Sequence, residues 1–224
     1  MAFLPACLMQ YNLLMQRLRP PTTRRRPKAG EPIWELARLF PSQGSWSQEE
    51  YLALDMGRIV EYSQGFLEIH PMPTFAHQRI VRFLVKLLLA FLESGSVGGE
   101  VLFAPLPMKV GRRQYREPDV LYLSAERVAN ATGNYPEGAD LVMEVVSGGR
   151  EDRQRDLVKK RYDYAQAGIP EYWIVDPDEE AITVLRLEGE AYVEHGRFGA
   201  GQTATSHLLP GFSVVVDEVW ATAK

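Results

Sequence analysis

The stretch GADLVMEVVSGG, residues 138–149, contains the segment on which the fold prediction rests. Its centre, residues 141–146, is an apolar run rich in valine that is interrupted only by Glu144 and closed by glycines. A short apolar run bounded by glycines is typical of a β-strand that is buried on both faces. A carboxylate in such a strand loses much of its hydration and needs a partner. The sequence therefore predicts a central strand in which Glu144 must be paired.

Helices and further strands are predicted on both sides of this strand. Residues 73–93 form a helix with an apolar stripe that His77 extends one turn earlier, so His77 points inward. A second helix, 152–167, ends before Gly168 and Pro170. Further strands are predicted at 59–62, 66–69, 101–110, 119–123, 172–175, 181–187, 191–194 and 210–216, and short helices at 32–40 and 47–55. This order predicts a mixed α/β (α+β) domain: a mixed central sheet flanked by helices, with extra antiparallel strands near the C-terminus.

Charge is distributed unevenly along the 224 residues, whose net charge is −4. Residues 1–30 hold six basic residues and no acid, which leaves 19 basic against 29 acidic residues, a net charge of −10, in the remainder. We expect 1–30 to be a flexible extension, which also faintly resembles a transit peptide, and 31–224 to be one domain. An acidic body suits a site that recruits metal cations better than one that relies on its own lysines.

Cysteine content and hydropathy limit the class of protein. The single cysteine, Cys7, excludes a disulfide framework and CxxC zinc sites, so a reducing cytoplasm is the expected location. The longest apolar stretch, 81–92, contains Lys86 and is too short to span a bilayer. Phosphate-binding P-loop, dinucleotide-binding, zinc-protease and serine-hydrolase motifs are all absent from the sequence.

A second acid precedes another predicted strand. In REPDVLYL, Asp119 follows Pro118 and opens the strand 119–123. Two carboxylates on neighbouring strands can converge on a hard divalent cation, and Mg²⁺ is commonly held by one or two carboxylates, water and substrate phosphate. Such a cation would supply the charge that Glu144 lacks. The alternatives are a turn residue for Asp119 and a buried salt bridge to an arginine for Glu144.

Six segments together resemble one family. Pro118-Asp119 followed by Glu144-Val145-Val146 is similar to the signature of PD-(D/E)XK restriction-endonuclease-like nucleases. The resemblance is stronger to their bacterial Uma-type branch and covers residues 46 to 220. It is carried, in order, by RIVEYSQGFLEI, HQRIVRFL, EPDVLYL, DLVMEVVS, DLVKKRYDYAQAGIPEYWIVDP and LLPGFSV.

The resemblance implies a restriction-endonuclease-like fold and a Mg²⁺-dependent endonuclease, with Mn²⁺ as a substitute, that cuts DNA to leave 5′-phosphates. Asp119, Glu144, the carbonyl of Val145 and Glu61 would bind the metal. His77 would hold a carboxylate or contact phosphate. A homodimer is expected, because cutting both strands needs two sites.

The chain departs from the signature at two places. Val146 stands where the signature has lysine, and the branch instead supplies a lysine from the next helix in the pattern Asp156, Lys160, Tyr164. These residues share one helix face, so Lys160 is the expected catalytic lysine, although Lys159 is a neighbouring candidate and Asp156–Lys160 could be an ordinary surface pair. The second departure is Ser147-Gly148-Gly149, which loosens the loop after the strand.

Other interpretations remain for several residues and for the function. His77 could be a satisfied core histidine, Glu61 a surface acid, and Tyr164 a packing residue, while His70, His195 and His207 show no ligand spacing. The missing signature lysine also fits a degenerate nuclease fold that binds nucleic acid or protein without catalysis. Because no basic aromatic patch is apparent, a hydrolase of small phosphoesters is a third hypothesis.

Overall fold

A computed structural model describes residues 40–54, 57–95, 97–147 and 155–223, with the side chains of 155 and 156 also outside the description. The chain divides into two units, Met1–Ser45 and Trp46–Lys224, and every element below belongs to the second. The predicted extension 1–30, nearly all of the predicted helix 32–40, and the loop glycines Gly148 and Gly149 lie outside the described residues.

Twelve strands and five α-helices follow one another in the described part of the chain. The strands are β1 (Val60–Ser63), β2 (Phe66–Ile69), β3 (Gly99–Phe103), β4 (Met108–Gly111), β5 (Gln114–Arg116), β6 (Val120–Ser124), β7 (Leu141–Val145), β8 (Glu171–Asp176), β9 (Ala181–Glu188), β10 (Ala191–Phe198), β11 (Thr203–Thr205) and β12 (Ser213–Val215). The helices are α1 (Gln48–Leu52), α2 (Phe75–Glu93), α3 (Ala125–Ala129), α4 (Lys160–Gln166) and α5 (Val216–Ala223), with a π-helical turn, Arg155–Lys159, leading into α4.

The strands form three sheets, and the largest carries the predicted central strand. Its order is β10-β9-β8-β7-β6-β3, in which β7 and β8 are parallel and all other neighbours are antiparallel. A four-stranded antiparallel sheet has the order β2-β1-β5-β4, and β11 pairs with β12 near the C-terminus. The predicted mixed sheet flanked by helices, with an extra antiparallel pair near the C-terminus, is confirmed.

Two predicted strands are wrong in their extent. The single strand predicted at 101–110 is two strands in different sheets, β3 and β4, because Pro105 and Pro107 between them cannot donate to a strand ladder. The strand predicted at 210–216 is shorter and is followed by α5, whose buried residues Val216, Val219 and Trp220 have helical spacing.

Helices cover both faces of the large sheet. α2 and α5 pack against each other over the face that contains Met143 and Val145 of β7. α4 covers the opposite face, where Tyr164 packs with Val142. Because side chains alternate along a strand, Glu144 shares the α4 face with Val142. The lysine that meets Glu144 must therefore come from the α4 side.

Local signals explain where α2 begins. The Thr74 side chain accepts a hydrogen bond from the backbone N–H of His77 at 3.1 Å and caps the helix. The apolar stripe is buried through Ile80, Leu84 and Leu88, which fixes the rotation of the helix. His77 consequently lies at the end of α2 that approaches the sheet.

None of the helices in the described ranges is long and apolar enough to cross a membrane.

A buried acid fastens the C-terminal region to the sheet. Glu171 is fully buried at the start of β8 and accepts hydrogen bonds from the Trp173 indole, the Ser206 hydroxyl and the backbone N–H groups of His207 and Leu208, all at 2.6–2.7 Å. Four donors offset the desolvation of one carboxylate. Glu171 is therefore a structural residue, in keeping with its lack of a predicted site role.

Candidate active site

Asp119 and Glu144 lie at the same end of two neighbouring strands. Val120 of β6 is opposite Met143 of β7, so the residue before the first and the residue after the second are adjacent in the sheet. Oδ2 of Asp119 accepts the backbone N–H of Val145 at 2.8 Å. Both acids are buried, at 7% and 3% exposure. The antiparallel register thus brings together the two carboxylates that the sequence singled out.

Glu144 is paired with two residues of α4. Nζ of Lys160 lies 2.8 Å from Oε1 of Glu144, and the Tyr164 hydroxyl donates to the same oxygen at 2.5 Å. Burial, and then the charge of Glu144, hold the pKa of Tyr164 well above its ordinary value, so the hydroxyl keeps its proton and donates. Tyr164 therefore contacts the site directly, beyond the packing role considered for it. The partner cation of Glu144 is a lysine rather than an arginine.

The two adjacent lysines face different surroundings. Lys160 is buried and lines the cavity with Glu144, whereas Nζ of Lys159 forms an exposed 2.6 Å pair with Oε2 of Glu68 on β2. The side chain of Asp156 lies outside the described residues, so the alternative of an ordinary Asp156–Lys160 pair stays untested. Of these two lysines, Lys160 is the one that lines the cavity, and its catalytic role stays a prediction.

Glu61 is surrounded by positive groups. Nη1 of Arg116 donates to its Oε2 at 2.5 Å, Nε2 of His70 lies 3.3 Å from the same oxygen, and Nζ of Lys160 lies 3.4 Å from Oε1. Burial would raise the pKa of Glu61, but the charge of Lys160, the hydrogen bond from His70 and the charge of Arg116 hold it well below its usual range. Because both oxygens already contact protein groups, a metal-ligand role for Glu61 requires one of these contacts to give way.

Arg116 and Asp163 connect β5 to α4. The Arg116 side chain is fully buried, and its Nε–H donates to Oδ2 of Asp163 at 3.0 Å while Nη2 donates to the same oxygen. Paired hydrogen bonds between a guanidinium and a carboxylate are among the stronger and more directional contacts in proteins. Since Arg116 also holds Glu61, this residue fixes α4, and with it Lys160, relative to the four-stranded sheet.

Glu117 is a further buried acid of the same cavity. Its Oε1 accepts the backbone N–H of Val60 at 3.3 Å. Burial, and then the charge of Glu61, raise the pKa of Glu117 to about 7, although the Val60 hydrogen bond opposes the shift. Because burial is the largest cause, the shift shows chiefly that the Glu117 carboxyl group has lost most of its hydration.

His77 bridges the two strands from the opposite side. Its Nε2 lies 3.2 Å from the carbonyl oxygen of Val145 and 3.3 Å from Oδ2 of Asp119. Both are acceptors, so Nε2 carries a proton. Burial lowers the pKa of His77, but the hydrogen bond to Asp119 and its charge outweigh this effect and raise the pKa above its ordinary value. Within the described ranges, Nδ1 of His77 is buried without a hydrogen-bond partner.

Several of these residues line one small cavity of about 40 Å³. That volume exceeds the ~10–15 Å³ that one water needs, so a few water-sized groups fit. The lining residues are Ile59, Glu61, His70, Pro71, Pro73, His77, Glu117, Asp119, Glu144, Val145, Ser147 and Lys160. All the predicted site residues, namely Asp119, Glu144, Lys160, His77, Val145 and Glu61, therefore line the same cavity.

The donor set of the cavity suits a hard divalent cation. Carboxylate and carbonyl oxygens are the preferred ligands of Mg²⁺ and Mn²⁺, and Asp119, Glu144 and Val145 supply them. In the described part of the chain, no three His, Cys, Asp or Glu side chains form a ready-made metal cage. A Mg²⁺ site needs none, since one or two carboxylates, water and substrate oxygens suffice.

Sequence patterns missed four residues of this cluster, for two different reasons. Arg116, Glu117 and Asp163 belong to charged local runs that are typical of solvated surfaces. His70 has no ligand spacing, because its contact with Glu61 depends on the β1–β2 hairpin register. The one available signal was the run Arg116-Glu117-Pro118-Asp119 directly before a buried strand, where several charges must be buried together.

Comparisons with known proteins identify the fold and the family. A putative nuclease of DUF820 from Anabaena variabilis ATCC 29413, solved by crystallography, has a similar fold: its TM-score is 0.64 at 16% identity, over 82% of this chain and 100% of that chain. None of the curated proteins compared with the chain matches it significantly. The Uma2 family profile, described as "Putative restriction endonuclease", matches residues 48–217. The chain therefore belongs to the Uma2 restriction-endonuclease-like family.

Proposed function

We propose that the protein is a metal-dependent endonuclease that hydrolyses phosphodiester bonds in DNA. One observation carries the proposal: two strand-end carboxylates and a buried lysine from the following helix line a single cavity. The nuclease class rests on the family, and the metal, the DNA substrate and the residue roles are our extension of it. A homodimer and 5′-phosphate products belong to the same proposal, the first because a duplex has two strands to cut.

Asp119 and Glu144, with the carbonyl of Val145, would hold the cation. When bound, a divalent cation lowers the pKa of water and stabilises negative charge on a phosphate. His77 donates from Nε2 to Asp119 and the Val145 carbonyl, and it would therefore orient these two oxygens or contact phosphate. Glu61 is better suited to holding Lys160 in place, since its oxygens already face Lys160, Arg116 and His70.

Lys160 would act on the attacking water and on the phosphate. Its Nζ is held between Glu144 and Glu61 at 2.8 and 3.4 Å, which keeps the ammonium group at the cavity. A pre-positioned cation stabilises charge that develops in a transition state without reorganising at the moment of reaction. The same ammonium group would orient the water that attacks phosphorus.

A plasmid-nicking assay with Mg²⁺ or Mn²⁺ tests the proposal. We expect the wild-type protein to nick, EDTA to stop nicking, and Asp119→Ala, Glu144→Ala and Lys160→Ala to lower the rate at least about 100-fold, the scale seen when a group that stabilises transition-state charge is removed. Lys159→Ala is the matched control and should keep wild-type activity. Equal nicking by all five proteins would identify a contaminant and refute the assignment.

The pairing of Glu144 with Lys160 and Tyr164 also favours a second candidate, a binding module without catalysis. A carboxylate that is satisfied by protein groups needs no cation for folding. Metal-independent DNA binding together with an absence of nicking in any divalent cation would support this candidate over the nuclease.

A further inference from the structure

An open groove of about 440 Å³ lies at the β3 edge of the large sheet. Leu89, Leu92 and Glu93 of α2 form one wall, and residues 99–102 of β3 form the other. The residues that line this groove and those that line the candidate active site have no member in common. The groove is therefore a second surface, which the proposed reaction does not use.

The outer edge of β3 carries backbone groups that can pair with another strand. Among the described strands β3 pairs only with β6, in a regular antiparallel register. Directly after β3, the backbone N–H of Ala104 donates to the carbonyl oxygen of Asp119 at 3.2 Å. Because the direction of hydrogen bonding alternates along an antiparallel strand, the N–H groups of Val101 and Phe103 and the carbonyl groups of Gly99, Val101 and Phe103 point away from β6. Such an edge is a template for a further strand.

The side chains of β3 are complementary to a second copy of the same strand. Val101 packs against the core beneath α2, and Gly99 and Phe103, each two residues away, share its face of the sheet. If two β3 strands pair antiparallel about Val101, Phe103 of each copy lies opposite Gly99 of the other. Phe103 is 54% exposed, and an aromatic ring over an edge glycine covers backbone that has no side chain of its own. Glu100 falls opposite Leu102, so the pairing brings no like charges together.

The exposed face of α2 has the same self-complementarity. Four exposed residues three, four or seven positions apart share this face, namely Lys86, Leu89, Ala90 and Glu93. If two copies of α2 run antiparallel and meet between Leu89 and Ala90, Lys86 of each copy lies beside Glu93 of the other. A two-fold axis repeats the contact, so two pairs of opposite charge form. In a parallel arrangement Lys86 would face Lys86 instead.

We propose that this groove is a dimer interface, in which a second copy of the chain joins β3 to β3 in one continuous sheet and sets two α2 helices side by side. Leu89 and Val101 line the same groove, so one two-fold axis beside them relates both the helices and the strands. The inference rests on the homodimer that belongs to the proposed function, and it assigns the surface that forms this homodimer.

Sedimentation velocity and light scattering of the full chain measure the dissociation constant of the dimer. We expect the wild type to be dimeric at micromolar concentrations. Lys86→Glu and Glu93→Lys should each raise the dissociation constant at least about 10-fold, because both symmetry-related charge pairs become repulsive. The double variant Lys86→Glu/Glu93→Lys restores the pairs in reversed order, so its dissociation constant should return to within about 3-fold of the wild-type value.

Phe103→Ser tests the strand edge separately from the charges. It removes an aromatic side chain from the interface and should also raise the dissociation constant at least about 10-fold. Glu190→Lys is the matched control, since it changes the net charge as Glu93→Lys does but lies in the exposed turn between β9 and β10, at the opposite edge of the large sheet. This variant should dimerise like the wild type. Thermal melting curves of every variant confirm that each one is folded.

Three results would overturn the proposal. A wild type that stays monomeric would leave the groove to a different occupant. A dimer that Lys86→Glu and Phe103→Ser leave intact would form through another surface. A double variant that dimerises no more tightly than either single charge reversal would refute the antiparallel arrangement of α2.

Plasmid-nicking assays on the same preparations separate this inference from the nuclease proposal. If dimerisation responds to the charge reversals as expected while no protein nicks DNA in Mg²⁺ or Mn²⁺, the interface is supported and the nuclease proposal fails. If the wild type nicks DNA but is a monomer, or a dimer through another surface, the nuclease proposal stands and the interface assignment fails.

Discussion

The Tyr164 hydroxyl donates a 2.5 Å hydrogen bond to Oε1 of Glu144, across the interface between α4 and β7. The same carboxylate oxygen faces Nζ of Lys160 at 2.8 Å. Two donors four residues apart on one helix face thus converge on the acid that interrupts the central strand. The partner that Glu144 needs is therefore supplied by the protein, and a bound cation would join this arrangement rather than create it.

Replacing Tyr164 with phenylalanine tests the strength of this contact. A hydrogen bond to a charged group contributes about 1.5–3 kcal/mol, and its loss leaves Glu144 less well solvated inside the protein. We expect Tyr164→Phe to lower the free energy of unfolding by that amount in urea titrations. Tyr162→Phe, on the exposed face of the same helix, should change it by less than about 0.5 kcal/mol. Similar values for the two variants would contradict the contact.

Lys160 and Lys159 should differ sharply in their effect on stability. Lys160→Met leaves Glu144 and Glu61 with less positive charge in a buried site, and breaking such a pair costs about 3–5 kcal/mol. Lys159→Met removes an exposed pair worth about 0–1 kcal/mol. Because a cation between Asp119 and Glu144 would replace the lost charge, Mn²⁺ should raise the melting temperature of Lys160→Met more than that of the wild type. An equal Mn²⁺ effect on both would argue against a metal at these two acids.

Arg116 and Asp163 should be strongly coupled. A double-mutant cycle with Arg116→Met and Asp163→Asn should give an interaction energy of about 1–3 kcal/mol, as expected for contacting residues in one network. The pair Arg197–Glu179, with both side chains more than half exposed, is the control and should give less than about 0.5 kcal/mol. Additive effects of the two buried substitutions would show that Arg116 does not hold α4 through Asp163.

Glu117 should make stability depend on pH. Its pKa is about 7 in the folded protein against 4.5 as the ordinary value, so between these pH values the folded state keeps a proton that the unfolded state has released. Stability therefore falls as pH rises through this window. Glu117→Gln lacks this loss, so its advantage over the wild type should grow from pH 5 to pH 8 by about 1–2 kcal/mol, less than the full shift because the group is partly screened.

Urea midpoints in metal-free buffer measure this difference. Glu190→Gln, at an exposed turn, serves as the control and should show no such trend. A constant difference between Glu117→Gln and the wild type across the pH range would contradict the raised pKa.

Much of the fold was predictable because its signals are local. The apolar run 141–146, the capping residue Thr74 and the stripe of α2 each lie within a few residues of the element that they define. The predicted strand 101–110 failed at Pro105 and Pro107, whose effect on strand pairing outweighs the apolar character of the segment. Short elements such as β5 and α3 have too few residues to show a period.

The candidate site was predictable only where residue type and order were sufficient. Asp119, Glu144 and Lys160 fall in segments that resemble a family, whereas Arg116 reaches Asp163 across 47 residues and Glu61 across 55. Pairing at such sequence separation depends on how the four-stranded sheet lies against α4, which no local pattern specifies. The direction of the Tyr164 hydroxyl could not be predicted either, because its contact with Glu144 depends on how α4 packs against β7.

Val146 occupies the position at which the signature of the superfamily has a charged residue, and here it is 4% exposed and packs in the core beneath α4. Under the proposed assignment Lys160 of α4 would supply the ammonium group, and position 146 is then available for an apolar side chain that extends the core one residue beyond β7. A motif search that demands lysine two places after the acid would pass over this sequence. In this chain the observed arrangement is a buried acid on a strand followed, on the next helix, by a lysine and a tyrosine four residues apart that both contact the acid.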